Sequence, residues 1–445
     1  MSPPLSAPVQ ASAATSGSSS IRRMGPPGAA VYRRRDWHRP TAGPMGSRPT
    51  RPAAGPGGRP RLAERDRTDQ NVSIDDFQAR HRDLHDGRKD GLTPLETLDL
   101  AQVSDADELL AALGRTAFGG RRMGQAADTL EAMVRDPECS VVLTLSGAMT
   151  VAKMGLVITE MIERGWVQAV VSTGALMTHG LVELTGMEHY MAEAEVSDKE
   201  LFAKGYNRVY DTYEMEKNLD QLQRLMVAVF KTMPTDRRWS SWELCRAIGA
   251  HLDRPGTRGI MVAAARSGVP IYIPAFTDSE LGLDLATFIV GQLVAAEGGD
   301  AKDKLLDLRS PFDPFKDLGH YATLVSRSPR LGIFTIGGGV PRNWAQQAPP
   351  FIDVLNTALE TDVQLNRFRY GLRICPEPPH WGGLSGCTYS EGVSWGKFLP
   401  PSQGGRYAEV FADATIAWPI IVKAVAERLD KAGVNAASPA LHLPG

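Results

Sequence analysis

Short apolar runs alternate with amphipathic stretches along most of this chain, from about residue 92 to residue 430. The runs have the length and composition of buried strands, and the stretch after the first run places its apolar residues on one helical face. Continuous apolar strands separated by helices predict a doubly wound, mostly parallel α/β sheet of the Rossmann-like type, with helices on both faces. The predicted strands are Ser140–Leu145, Val167–Val171, Val269–Ile273, Leu331–Ile336, Tyr370–Ile374 and Ala408–Phe411.

Two further stretches, Asn218–Thr232 and Trp239–His251, have helical periodicity but no apolar strand attached to them. We therefore expect them to form a helical excursion from the sheet. No internal repeat is evident along the chain.

The two ends of the chain lack this patterning. Residues 1–67 are rich in Pro, Gly, Ala, Ser and Arg and have almost no acidic residues before Glu64, so we predict a disordered tail. A transit peptide, a basic arm attracted to RNA or membranes, and a dispensable extension are the alternatives, and the last is favoured. Residues 68–91 are a lead-in segment, 92–430 the folded body, and 431–445 a short loose tail.

Composition and charge exclude several classes of protein. The formal net charge of the 445 residues is −2, which argues against a positive electrostatic potential over the whole chain of the kind that binds nucleic acid. No run approaches the roughly 18 apolar residues that a membrane span needs. The four cysteines form no C-x-x-C pair, so we predict neither a metal centre nor a disulfide framework, and we expect a reducing, cytoplasmic location.

Small and hydroxyl-bearing residues follow the predicted strands, where ligands bind in open parallel sheets. Backbone N–H groups in such loops can approach a phosphate, and Asp413 could accept hydrogen bonds from ribose. For each loop taken alone a tight turn is the favoured explanation, and no G-x-G-x-x-G sequence is present. The loops taken together leave nucleotide binding and tight turns as equal alternatives. The loops are Ser146-Gly147-Ala148, Ser172-Thr173-Gly174-Ala175, Thr277-Asp278-Ser279, Gly337-Gly338-Gly339 and Asp413-Ala414-Thr415.

One lysine stands in an unusual setting. Lys397 lies between Trp395 and Phe398, a short distance after a glycine-rich loop. Removal of water from its amine would lower the pKa and give a neutral nucleophile able to form an imine. The simpler alternative is a surface lysine whose aliphatic stem lies on aromatic rings.

The sequence EGVSWGKF at 391–398, followed by FADATIAWPII at 411–421, closely resembles the deoxyhypusine synthase family. The segments SVVLTLSGAM, VVSTGALMTHGLVE, KGYNRVYD, PIYIPAFTDSELG and FTIGGGV occur in the order of their counterparts in that family. The resemblance extends from about Leu92 to Leu429, and S-W-G-K is its most specific part.

This resemblance implies an NAD-dependent transferase of alkyl groups. In the family, a 4-aminobutyl group moves from spermidine to an enzyme lysine as an imine and then to an acceptor amine. The acceptor here is either a protein lysine, giving deoxyhypusine, or putrescine, giving homospermidine. Family members are homotetramers, and neither nucleic acid nor membrane is an expected partner. The alternative is an altered NAD-binding member that acts as a non-enzymatic binding or assembly protein, although the retained Lys397 argues against it.

The resemblance also assigns roles to individual residues. Lys397 would form the imine, Glu391 and Trp395 would hold the cationic polyamine, and Asp284 and Ser385 would belong to the same substrate site. Asp278 would lie near both polyamine and cofactor. The residues that would line the NAD site are Ser146, Thr173, Gly174, Asp278, Gly338, Gly339, Asp413, Ala414 and Thr415.

Several positions depart from the eukaryotic enzymes, as in the divergent bacterial branch called deoxyhypusine synthase-like. Thr178 and His179 stand where those enzymes have paired glutamates, and Asn343 stands where they have a histidine after the glycine triplet. The aspartate-rich loop is replaced by Trp381–Leu384, and the second strand-end aspartate aligns with Leu283, one residue before Asp284. His179 is therefore a candidate substitute base, with a hydrogen-bonded histidine at a helix start as the equal alternative.

Overall fold

The computed structural model describes residues 85–193, 196–382 and 387–434. The predicted tail 1–67, most of the lead-in segment, most of the predicted tail 431–445 and the site residue Ser385 lie outside these ranges. In the part of the chain described, the predicted doubly wound α/β fold is confirmed.

The main sheet is entirely parallel and has the strand order β6-β2-β1-β7-β8-β9 among the described residues. Each strand joins its neighbour through a crossover, as parallel pairing requires. Its strands are β1 Cys139–Leu145, β2 Ala169–Ser172, β6 Ile271–Tyr272, β7 Arg330–Ile336, β8 Phe368–Ile374 and β9 Arg406–Val410.

Helices cover both faces of this sheet. Alternate residues of β1 point to opposite sides, so Val141 and Leu143 pack into one core while Val142 packs into the other. The helices are α1 Ala106–Gly114, α2 Phe118–Arg135, α3 Gly155–Glu163, α4 Gly174–Leu184, α5 Asp198–Lys204, α6 Glu216–Phe230, α7 Ser241–Leu252, α8 Ile260–Ser267, α9 Glu280–Glu297, α10 Pro314–Arg327, α11 Gly339–Ala345, α12 Ala348–Leu359, α13 Tyr389–Ser394 and α14 Ala414–Lys431.

A small antiparallel sheet accompanies the predicted helical excursion. Strands β3 Tyr190–Met191, β4 Tyr206–Val209 and β5 Thr212–Met215 pair in the order β3-β5-β4. The two excursion helices, α6 and α7, are present as predicted, but the expectation that no strand is attached to them was wrong. These strands are short, β3 is exposed and β4 and β5 mix polar with apolar residues, so they lack the apolar run by which the main strands are recognised.

Strand β6 is shorter than the predicted Val269–Ile273. Pro270 and Pro274 flank it, and proline has no N–H to donate to a sheet, so only Ile271 and Tyr272 pair with β2.

The four cysteines are free, and three of them are buried. Among the described residues, no single helix is long and apolar enough to cross a membrane. Two consecutive helices, Glu280–Glu297 and Ala301–Asp307, are long and apolar enough only when they are taken together, and they meet at a bend of 110°.

Candidate active site

The glycine triplet after β7 is held against the end of β1. The Ser146 hydroxyl accepts a hydrogen bond from the Gly338 N–H at 2.9 Å, and a Cβ added at Gly337 would lie 2.3 Å from the same oxygen. Gly337 and Gly339 have φ of 77° and 61°, which favour glycine. Helix α11 begins at Gly339 with no side-chain cap on its first N–H groups. Ser146 and Gly338, which were both predicted to line the cofactor site, are thus in direct contact at the ends of β1 and β7.

The loop after β2 packs against the loop after β6. Thr173 caps α4 by accepting a hydrogen bond from Leu176 N–H, and a Cβ at Gly174 would lie 2.1 Å from Ser279 Oγ. This close approach explains why glycine stands at position 174. Asp278 is exposed beside Ser279.

Asp413 and Thr415 line a cavity of about 740 Å³ together with Ala148 from the loop after β1. Asp413 Oδ1 accepts hydrogen bonds from Thr415 N–H at 2.7 Å and from Thr415 Oγ1 at 2.8 Å, which caps α14. Oδ2 has no hydrogen bond within the described ranges, so it can accept one from a ligand hydroxyl. Ala414, between them, is buried. An exposed acceptor beside a cavity at the strand ends fits the ribose of a dinucleotide.

The Lys397 side chain is buried, with 8 % of the residue exposed. Its Nζ lies 5.9 Å from the centre of the Trp395 ring, and a Cβ at Gly392 would lie 2.6 Å from Phe398. Burial is the largest cause that lowers the pKa of the Lys397 amine. Arg342 acts in the same direction, and Cys387 and Glu391 act in the opposite one. The alternative of a freely solvated surface lysine is therefore wrong.

The backbone of Lys397 is anchored at the amino end of β8. Lys397 O accepts a hydrogen bond from Phe368 N–H at 3.0 Å, and Leu399 N–H donates to Phe368 O at 2.9 Å. In the described ranges, Lys397 makes no hydrogen bond or ring contact with the strand-end residues above. The charge of Arg342, on the helix that follows the glycine triplet, acts on the Lys397 amine.

Two buried arginines near the lysine were missed by sequence reasoning. Arg342 and Arg373 donate hydrogen bonds to the carbonyl of Cys387 at 2.8 and 3.0 Å. Arg373 also pairs with Glu409 at 2.7 Å. They hold the end of the loop that leads into α13. Proline at 341, directly before Arg342, is typical of a helix start and does not indicate a buried arginine.

The remaining predicted substrate and catalytic residues divide between the surroundings of Lys397 and other parts of the fold. Glu391 and Trp395 are exposed on and after α13, and Asn343 is exposed on α11. Asp284 is half-buried; burial raises its pKa to about 6, against the opposing effect of a hydrogen bond with Gln223 on α6.

His179 lies in a separate cluster with two residues that the sequence did not single out. His179 Nδ1 is 3.2 Å from Glu214 Oε2, and the rings of His179 and His189 are 5.9 Å apart. Burial would raise the pKa of Glu214, but contacts with His179, His189 and Asn218 outweigh it and lower that pKa to about 2. Among the described residues, His179 has no hydrogen bond or ring contact with Lys397.

The fold is a parallel α/β sheet with small residues at its strand ends, an acid-lined cavity beside them and a separate buried lysine, which together are typical of an α/β enzyme. The chain belongs to the deoxyhypusine synthase family, because the family model described as "Deoxyhypusine synthase" matches residues 108–425.

Curated relatives agree with this assignment. The chain is 33 % identical to "Probable deoxyhypusine synthase 2" of Methanosarcina acetivorans over 337 residues. This alignment covers 75 % of this chain and 90 % of the relative. It is 32 % identical to a "Deoxyhypusine synthase-like protein" of Chlorobaculum parvum, over 68 % of this chain and 81 % of the relative. The resemblance seen in the sequence, including the bacterial-type branch, is confirmed.

Proposed function

We propose that this chain is an NAD-dependent transferase that moves a 4-aminobutyl group from spermidine, through an imine on Lys397, to an acceptor amine. The buried Lys397 with its lowered pKa is the observation that carries the proposal, because a desolvated amine is neutral more often and attacks an electrophilic carbon. Family membership supports the same reaction class.

The residues of the strand-end loops fit a dinucleotide. Asp413 and Thr415 would hold ribose hydroxyls, and Ser146, Thr173, Gly174, Asp278, Gly338, Gly339 and Ala414 would line the rest of the site. NAD, when bound, supplies a reversible store for one hydride.

The Lys397 amine makes and breaks one bond in each half of the reaction. Loss of a hydride and a proton from the donor amine gives an imine, and Lys397 adds to its carbon. The bond to diaminopropane breaks and that amine leaves with a proton. The acceptor amine then displaces Lys397 in the same way, and return of the hydride gives the product with no net redox change.

Glu391 and Trp395 would bind the cationic part of the polyamine by charge and cation–π attraction. The roles of His179 and Asn343 in proton transfer, and of Asp284 at the substrate, stay predictions. We also propose the homotetramer that the resemblance implies, and the large apolar side chains exposed at Leu283, Leu306 and Phe315 support burial against other copies.

Reduction of the working enzyme tests the proposal. After incubation with spermidine and NAD, borohydride should add the mass of the aminobutyl group to the peptide that contains Lys397. In a separate reaction without borohydride, spermidine with putrescine as acceptor should yield diaminopropane and homospermidine. Release of diaminopropane alone would favour a protein acceptor. No adduct with any common polyamine would exclude the transferase.

The rate of adduct formation is expected to rise with pH and level off. The neutral amine is the reactive form, and burial lowers the pKa of Lys397, so the midpoint should lie below the ordinary 10.5. In Arg342→Met, loss of a nearby positive charge should move the midpoint to higher pH. Arg327→Met, at the exposed end of α10, is the control. A midpoint that moves to lower pH in Arg342→Met would contradict the assignment.

Asp413→Asn is expected to weaken NAD binding by about tenfold, because an ionised acceptor is replaced by a neutral one. Calorimetric titration of the full-length chain measures this, with Asp353→Asn on the exposed face of α12 as the matched control. Equal affinity of the two variants would remove Asp413 from the cofactor site.

A further inference from the structure

Three side chains, among them the candidate base His179, meet beside the small sheet. His179 lies on α4, His189 directly precedes β3, and Glu214 lies on β5. One potential ligand atom from each lies within 4.8 Å of the other two. The register explains part of this, because Tyr190 pairs with Tyr213 in an antiparallel ladder and the next pair along it is His189 with Glu214.

Both histidines approach the same carboxylate oxygen. Glu214 Oε2 is 3.2 Å from His179 Nδ1 and 2.5 Å from His189 Nε2. His189 and Glu214 side chains are each 1 % exposed, yet His189 Nε2 has no hydrogen bond because the approach lacks the required direction. A buried imidazole nitrogen thus lies against a carboxylate oxygen without a well-directed hydrogen bond to it.

The other oxygen of the carboxylate is already occupied. Glu214 Oε1 accepts hydrogen bonds from Asn218 Nδ2 at 2.7 Å and from Met215 N–H at 3.1 Å. These two contacts fix the orientation of the carboxylate and leave Oε2 toward the imidazoles. Buried charges in proteins are usually paired or bound to a metal, and Oε2 is the oxygen of Glu214 that faces both imidazoles.

We propose that His179, His189 and Glu214 bind a divalent transition-metal ion of the zinc class. Two imidazoles and one carboxylate are a common ligand set for such ions when a fourth position is left open. Bonds of about 2.0–2.2 Å to a tetrahedral ion place its ligand atoms roughly 3.3 Å apart, close to the His179–Glu214 separation. His189 would move outward by less than about 1 Å to reach the same separation.

Lys153 competes with the ion for His189. Its Nζ lies 2.9 Å from His189 Nδ1 and 2.8 Å from Glu183 Oε1. An ammonium group only donates, so Nδ1 accepts and the ring proton resides on Nε2. Metal binding at Nε2 moves this proton to Nδ1, and Lys153 then pairs with Glu183 alone. Lys153 and His189 both line the cavity that contains Asp413, so the ion can enter from that side.

The test uses the untagged full-length chain, stripped with a chelator and titrated with Zn²⁺ against a chromophoric competitor. We expect one tightly bound equivalent per chain, and Co²⁺ in its place should give the intense visible absorption of a four-coordinate ion. His189→Gln and Glu214→Gln should each weaken binding by at least about a hundredfold. Lys153→Gln should strengthen it by about tenfold, because a nearby positive charge is removed.

Controls separate this site from general binding and from loss of the fold. His251→Gln changes an exposed histidine at the end of α7 and should leave the affinity unchanged, and thermal melting should show that each variant is folded. Absence of a bound equivalent, or equal affinity of the wild type and Glu214→Gln, would overturn the proposal. Because the readout is metal content without substrate, it is independent of the transferase assay.

Discussion

Lys397→Ala is expected to abolish the borohydride-trapped adduct and to lower the rate of aminobutyl transfer by more than about a thousandfold. Loss of a covalent nucleophile removes the whole two-step route. Mass spectrometry of the reduced protein and chromatography of the released diaminopropane measure the two effects.

Lys397→Arg is the more demanding variant of this experiment. It keeps the positive charge and most of the side-chain volume, but guanidinium stays protonated and does not form the imine. Lys423→Ala, on the exposed surface of α14, is the matched control and should retain full activity. An adduct that persists in Lys397→Ala would place the nucleophile elsewhere and contradict the proposal.

Gly392→Ala is expected to remove most of the activity while leaving the chain folded. The added Cβ would lie 2.6 Å from Phe398 Cδ2, and Phe398 is fixed among Phe368, Tyr389 and Tyr407. Helix α13 must therefore shift, and with it Lys397, whose N–H donates to Gly392 O. We expect a loss of about 1–3 kcal/mol in unfolding free energy, and a larger effect on adduct formation.

Gly319→Ala provides the matched comparison for this substitution. Gly319 is inside α10, and a Cβ there would meet nothing within 4 Å, so alanine should stabilise the helix by about 0.5–1 kcal/mol. Denaturant unfolding gives both stability changes. Wild-type rates of adduct formation in Gly392→Ala would show that the close packing of α13 is not needed for the chemistry.

The main sheet was predictable because each of its longer strands is a buried apolar run, as in β1 and β7. The three small strands were not, because their residues are mixed in polarity and their pairing depends on turns. For the same reason His189 and Glu214 were missed: they are 25 positions apart and meet only through the β3–β5 register.

Of the candidate site, the lysine was predictable and much of its surroundings was not. The S-W-G-K motif identified Lys397, and glycine at 392 and 396 indicated close packing. Arg342 and Arg373 come from two different elements and converge on a single carbonyl, a contact that local sequence does not encode. Asp413 was assigned to ribose, and its second carboxylate oxygen is free to accept such a bond within the described ranges.

The anchoring of Lys397 at the start of β8 has a consequence for how the enzyme works. The seven residues of β8 span roughly 20 Å, and a lysine side chain is much shorter than that. The cavity with Asp413 lies beyond the opposite end of the strands, so the backbone of Lys397 and this cavity are separated along the sheet. If the chain works as the homotetramer proposed above, dilution that separates the copies should lower turnover reversibly while each chain stays folded.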